Sequence, residues 1–332
     1  MEYFFIASFS FIFCTLALSV LRKAAIKHNI FRGDRNIPYV GGAGIFLTLL
    51  LSLAALSFIK NITFSFHFTW ILIFAFILLV AEFIDDVKDF SLKARVILEL
   101  AFIVLFLSFG KGIQIYFLAP WLNYIISCIW ILGVTNAFNH LDVGDGLCGG
   151  IALIISLAFL AVFLIIGNTL LSYLYLALSA ALAAFLLFNL PPAKVFLGNS
   201  GSHVLGFLFA TLSIYGDYAT LDNISAIFLP ILVLGLPILD TAYLIIIRSR
   251  KMIHPCKKSD DHIFLRYLSK GYPRKEALGD NYLLSFFLGL SGVFLILRGV
   301  DLAFMITLLA AVLGGVIMVI KARITPAAAG QS

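Results

Sequence analysis

In "WILIFAFILLVAEFIDDVKDF" (residues 70–90), twelve unbroken apolar residues, Trp70 to Ala81, run straight into Glu82, Asp85, Asp86 and Asp89. With the residues before it the apolar segment covers about 67–84, close to the length a helix needs to cross hydrocarbon. Similar runs recur along the chain. Of its 332 residues 62% are hydrophobic and 12% charged, and the mean hydropathy is +1.08. A soluble domain carries about 25% charged residues. The alternating ten-residue segments of an outer-membrane barrel do not appear. The expected fold is all-α, a polytopic membrane protein forming one integral domain over residues 1–332.

Eleven spans are predicted, at about 3–21, 41–59, 67–84, 94–110, 121–139, 150–167, 169–190, 203–216, 225–247, 281–297 and 302–320, with a turn at Gly167-Asn168. The first run has no basic residues before it and is followed by Arg22, Lys23 and Lys27, so it reads as a retained helix. The four Cys make no disulfide framework, with Cys14 and Cys128 in spans and Cys148 and Cys256 in polar loops. Twenty of the 23 Lys and Arg fall in the loops after odd-numbered spans or in the C-terminal tail. That bias predicts an outward N-terminus and a cytoplasmic C-terminus in a bacterial or archaeal plasma (inner) membrane. It also accounts for the net charge of +6 without a nucleic-acid partner.

The motif-like stretches all fall on that basic side: "GDRNIPYVGGAG" (33–44), "DDVKDFSLKAR" (85–95), "NAFNHLDVGDGLCGG" (136–150), "NLPPAKVFLGNSGSH" (189–203) and the long loop 248–280. Asp85, Asp86 and Asp89 could simply solvate a helix end beside Lys88, Lys93 and Arg95. Adjacent carboxylates, however, raise one another's pKa unless a cation neutralises them, and oxygen-rich sites suit Mg²⁺ shared with substrate phosphates. Asn136, Asn139, Asp142 and Asp145 are spaced three apart, which on a helix places them along one side. Gly144 and Gly146 then break the run; polar capping at the membrane boundary is the alternative, but a polar ladder of this spacing beside apolar sequence is uncommon by chance and points to function. "LGNSGSH" reads as a turn into a helix N-terminus, which favours anions. Asp240, ionisable within a span, is a functional or network residue by default; Glu99 reads as a structural hydrogen-bonding group. "HPCKKSDDH" (254–262) matches no standard zinc spacing. The basic residues of 248–280 are expected to meet lipid headgroups or a polyanionic substrate, with "HIFLRYL" as an interfacial helix.

Taken in order, these motifs resemble the polyprenyl-phosphate N-acetylhexosamine-1-phosphate transferases (the MraY/WecA type, glycosyltransferase family 4) over about residues 30–280. "IPYVGG" is similar to the start of that family's second span, and "DDVKDFSLKAR" to its aspartate-rich loop. "NAFNHLDVGDGL" is similar to NxxNxxDGxDGL, and "KVFLGNSGS" to VFxGDxGS. The short loops are nearer the N-acetylglucosamine branch than the muramoyl-pentapeptide one. The resemblance implies attack of a polyprenyl phosphate on a UDP-sugar, release of UMP, and Mg²⁺ (or Mn²⁺) as cofactor, in making lipid-linked sugars for peptidoglycan, teichoic acids or the O-antigen of lipopolysaccharide. It further implies that Asp85 and Asp86 handle the lipid phosphate and assist the metal, and that Asn199 stands at a metal-ligand position. Asn136, Asn139, Asp142 and Asp145 would hold the nucleotide end, with Asn189 beside them, Phe196 stacking on uracil, and Arg35 or Arg32 and His262 in contact with the donor. A homodimer is compatible with it.

Three departures accompany the resemblance. Asn199 replaces an acid, Val143 replaces a glycine, and "HIFL" leaves only His262 of a His-rich motif. They keep open a non-catalytic sugar-lipid or nucleotide-binding homologue, while "DDVKD" alone would also suit an intramembrane prenyltransferase. A transporter would need a polar path that the spans do not supply.

Overall fold

The computed structural model describes residues 1–30, 36–88, 91–219, 223–252 and 260–324. Arg32, Arg35, Asp89, His254 and Cys256, singled out above, lie outside these. Among the described residues every regular element is helical: α1 (Glu2–His28), α2 (Gly41–Lys60), α3 (Phe66–Lys88), α4 (Leu92–Phe109), α5 (Pro120–Leu141), α6 (Leu147–Ile165), α7 (Thr169–Asn189), α8 (Gly198–Tyr215), a 3-10 turn (Ile224–Phe228), α9 (Leu229–Val233), α10 (Gly235–Arg250), α11 (Ile263–Ser269), α12 (Arg274–Arg298) and α13 (Leu302–Lys321). The chain is an all-α, multi-pass membrane protein.

Eight of these helices are long and apolar enough to cross a membrane, or nine if the bent pair is one span, against the eleven predicted. The two predicted spans that fall short are α4, which opens on Lys93, Arg95 and Glu99, and α8, which opens on the polar turn "GNSGSH". Both nevertheless run the length of α3. Arg95 of α4 meets Asp85 near the end of α3, while His67 at its start reaches the Phe109 carbonyl at 3.2 Å. Tyr215, at the end of α8, pairs with Ser65 at 2.9 Å. The predicted ninth span is broken: its halves are bent by 66° between Val233 and Gly235. Pro237 explains the break, since it has no N–H and its ring would clash with the carbonyl four residues back.

Local signals set the other boundaries. Asn168 caps α7 by accepting from Leu171 N, after Gly167 turns with φ +75°. Ser91 caps α4 and Asp301 caps α13 in the same way. Cys148, expected in a polar loop, is instead buried in the first turn of α6. The predicted interfacial helix forms as α11, but Ile263, Phe264 and Tyr267 are buried and turn inward on the protein.

At the centre stands α8, buried continuously from Ser200 to Ser213 and packed by α2, α3 and α5. Around it α7 joins α1, α2 and α6, and α12 joins α6, α9, α10 and α13. The outer faces of α4 and α13 stay apolar and exposed, as at Ile97, Leu105, Leu309 and Val316, which is what hydrocarbon solvates. At the end of the bundle holding Glu2, an ion pair joins Glu2 to Lys60 at 2.6 Å. At the other end Lys321 of α13 holds both Glu276 and Asp280 of α12 at 2.8 Å.

That second end is organised by one close contact. The segment before α2 pairs with the segment before α8: Phe196 N donates to Pro38 O at 2.8 Å, Gly41 N to Phe196 O at 2.9 Å and Gly42 N to Leu197 O at 3.1 Å. A Cβ on Gly42 would stand 2.2 Å from the Gly201 Cα. The contact is backbone on backbone, so no side chain can swing away to relieve it. Gly42→Ala should therefore lower stability by about 1–3 kcal/mol, read as an earlier melting transition of the detergent-solubilised protein. Gly314→Ala, where a Cβ meets nothing within 4 Å, is the control expected to leave that transition in place.

Candidate active site

Where the end of α3, the turn after α5 and the start of α8 converge, a cleft of about 260 Å³ is lined by Tyr39, Asp86, Asp142, Val143, Gly144, Asp145, Asn189, Phe196, Gly198 and Asn199. Each wall has a local cause. Helix α5 stops at Leu141, so Asp142 caps it, and Asp145 follows within the turn that Gly146 closes with φ +82°. Gly198, with φ +80°, turns the chain into α8 and leaves Asn199 in its first turn. Ser200 N donates to Asp86 Oδ2 at 3.4 Å, so an acid meets the positive end of α8.

The predicted residues divide sharply. Asp86, Asp142, Asp145, Asn189, Phe196 and Asn199 line the cleft. Asp85 does not. One step along the helix from Asp86, it is buried and held by Arg95, Nε to Oδ1 at 3.1 Å and Nη2 to Oδ2 at 2.8 Å, a two-point geometry that fixes orientation. Asn136 donates to Glu99 Oε1 at 2.7 Å, which gives Glu99 the structural hydrogen bond expected of it. Asn139 reaches the site indirectly, through Asn199 Oδ1 at 3.0 Å and Ser202 Oγ at 3.2 Å. Asn189 spends its amide on structure, accepting from Gly146 N and donating to Val195 O, each at 3.0 Å. His262 is paired with Asp240 at 3.1 Å.

Three further contacts carried no signal in the sequence. Arg274, the first residue of α12, reaches Asp145 Oδ2 at 3.3 Å, beside Ala193 N at 3.3 Å. His203 Nδ1 lies 3.3 Å from Glu82 Oε2 and 3.0 Å from the Asn199 carbonyl. Tyr282 donates to the Gly146 carbonyl at 2.6 Å. The Arg274–Asp145, His203–Glu82 and Tyr282–Gly146 contacts join residues far apart in the chain, and neither periodicity nor composition encodes such pairs.

The family model described as "Glycosyl transferase family 4" matches residues 68–217, which run from α3 to just beyond α8. A Bacillus subtilis (strain 168) protein, "Probable undecaprenyl-phosphate N-acetylglucosaminyl 1-phosphate transferase", is 31% identical over 273 residues, covering 79% of this chain and 74% of that protein. The chain belongs to glycosyl transferase family 4. Proteins named "Undecaprenyl-phosphate alpha-N-acetylglucosaminyl 1-phosphate transferase" from Thermotoga maritima and Escherichia coli (strain K12) are similar too. The first is 31% identical over 71% of this chain and 70% of its own length, the second 25% identical over 80% and 77%. As a glycosyl transferase family 4 member, the protein is a membrane-embedded transferase. The family-model match contains all the cleft carboxylates, whereas Tyr39, Asp240, His262 and Arg274 lie outside it.

Burial, with Asp86 and then Asp145 nearby, pushes the Asp142 carboxyl up to about 7. The folded protein then keeps this proton to a higher pH than the unfolded chain. Its contribution to stability is complete below the ordinary aspartate range and is lost as pH rises through about 7. In detergent without divalent cations, the melting temperature should fall from pH 5 to pH 8, and Asp142→Asn should flatten that slope.

Proposed function

We propose that this enzyme transfers N-acetylhexosamine-1-phosphate, with N-acetylglucosamine as the sugar, from a UDP-sugar to a polyprenyl phosphate and releases UMP. The observation that carries the reading is the cleft itself. Asp86, Asp142, Asp145 and the Phe196 ring meet at one end of a membrane bundle, where a lipid phosphate and a water-soluble nucleotide can both arrive. The names of the relatives support undecaprenyl phosphate as the acceptor. With the basic loops gathered at the same end, the positive-inside bias supports a cytoplasmic cleft and C-terminus in a plasma membrane, with the N-terminus outside.

In the transfer an oxygen of the acceptor phosphate bonds to the β-phosphorus of the UDP-sugar. The bond from that phosphorus to the bridging oxygen breaks, and UMP leaves with the electron pair. Phe196 offers a face for the uracil, and Asp145, kept in place by Arg274 and Ala193 N, holds the nucleoside end with Asp142. Asp86 faces the reacting phosphates. Asp85, fixed by Arg95, sets the end of α3 from which Asp86 projects.

The donor set fits Mg²⁺ (or Mn²⁺): the cleft offers carboxylate and amide oxygens from Asp86, Asp142, Asp145 and Asn199. Among the described residues no three His, Cys, Asp or Glu side chains stand close enough to hold an ion by themselves. That suits an ion that takes one or two carboxylates and completes its shell with substrate phosphates. When bound it supplies positive charge to the diphosphate of the donor. Asn199 gives an oxygen without charge, so more of the attraction falls to Asp86 and Asp142.

The test is UMP release by the purified chain in detergent, given undecaprenyl phosphate, UDP-N-acetylglucosamine and Mg²⁺. Release that needs all three is expected, and Asp86→Asn should reduce it by on the order of 100-fold or more. UDP-sugar binding without UMP from any N-acetylhexosamine donor would instead favour a binding homologue, the reading that the uncharged Asn199 supports.

A further inference from the structure

The polar side chains of the cleft are mostly hydrogen-bond acceptors. Asp86, Asp142 and Asp145 bring carboxylates to it, which when ionised accept only. The two amides that line it are committed on their nitrogen side: Asn189 donates to Val195 O at 3.0 Å, and Asn199 turns its N–H toward Asp86. The Ser200 N–H at the start of α8, which a helix end would offer to an anion, is also on Asp86, at 3.4 Å. A diphosphate brings nothing but acceptors, so a cleft that takes one needs a donor besides the cation. Among the lining side chains the Tyr39 hydroxyl is of that kind.

Backbone contacts fix where Tyr39 stands. The rungs on either side of it, Phe196 N to Pro38 O at 2.8 Å and Gly41 N to Phe196 O at 2.9 Å, set it beside Phe196 on one wall. Its Cβ and carbonyl oxygen pack on the turn at Gly198, where an added Cβ would lie 3.0 Å from the first and 3.3 Å from the second. That turn leads directly to Ser200 and so to Asp86. Tyr39 therefore stands where the Phe196 wall meets the Asp86 end of the cleft. In the donor, the diphosphate has the same middle place, between the uracil assigned to Phe196 and the phosphorus that reacts before Asp86. Burial, and then the charge of Asp86, push the phenol above the ordinary tyrosine value, so it keeps its proton and meets a phosphate as a donor.

Resting on the transferase reading above, we propose that Tyr39 is a substrate-binding residue: its O–H donates to a phosphoryl oxygen of the UDP-sugar's diphosphate. The uridine end of the donor makes no use of this hydroxyl.

Tyr39→Phe removes the O–H and keeps the ring. In ligand-observed NMR titrations of the full chain in detergent with Mg²⁺, it should weaken UDP by about tenfold. Uridine, which has no phosphate, should bind as before. A merely structural role does not separate the two ligands, because a distorted wall loosens both alike. Unchanged UDP affinity overturns the proposal, as does an equal loss for UDP and uridine, or a wild type that binds UDP no more tightly than uridine. If Tyr39→Phe does not fold, Tyr39→Gln, which keeps a donor, is set against Tyr39→Leu, which has none. UDP should then bind the first more tightly and uridine both equally; equal UDP affinities overturn the contact.

Turnover separates this contact from the reading it rests on. In Tyr39→Phe, kcat/KM for UMP release from UDP-N-acetylglucosamine should fall by about tenfold or more. A wild type that releases no UMP, yet binds UDP more tightly than uridine only while Tyr39 keeps its hydroxyl, defeats the transferase reading and leaves the contact in place. Full UMP release by Tyr39→Phe at unchanged KM defeats the contact and leaves the transferase reading standing.

Discussion

Two helix starts meet backbone to backbone, Gly42 on Gly201, and the location of the cleft follows from that contact. Because neither residue carries a Cβ, the segments leading into α2 and α8 come close enough to share three hydrogen bonds. Tyr39, Phe196, Gly198 and Asn199 are thereby gathered into one wall. Since α8 also packs against α3 and α5, the same anchor sets the distance at which Asp86 and Asp142 face that wall. A larger residue at either glycine would separate the two starts and open the wall between them.

Charge is distributed within that frame with evident economy. Around the cleft, Asp85 has Arg95, Asp145 has Arg274, and Glu82 stands against His203. Asp86 and Asp142 differ: among the described residues neither forms an ion pair with a basic side chain, although both line the cleft. Carboxylates held close together in a partly desolvated place either keep a proton or attract a cation. The Asp142 carboxyl is pushed up to about 7 by burial, with Asp86 and Asp145 nearby. The paired acids fix the architecture, and the two without basic partners are the carboxylates open to the cleft.

Much of this could be read from residue order. Apolar length announced the spans, Gly167-Asn168 the turn between α6 and α7, and the clustering of motifs on one side the end of the bundle that carries the site. Adjacent residues proved harder to separate. Asp85 and Asp86 look equivalent in a string, yet one helical step sends the first to Arg95 and the second into the cleft. The ladder from Asn136 to Asp145 is likewise split by the helix end at Leu141, so its amides brace neighbouring helices while its acids face the pocket. Asn189, expected to touch substrate, lines the cleft and also ties two loops together. The break before α10 and the inward face of α11 depend on packing partners far away in the chain, which no local pattern reports.

The double grip of Lys321 on α12 makes the last helix part of this machinery. Glu276 and Asp280, which it holds, lie within two turns of Arg274, the residue that reaches Asp145. Helix α13 presents most of its surface to lipid. A tilt of α13 would draw on the start of α12 and, through Arg274, on one wall of the cleft. The start of α12, and with it Arg274 beside Asp145, is thus tied to a lipid-facing helix by a charged contact as well as by the packing of α12 on α13.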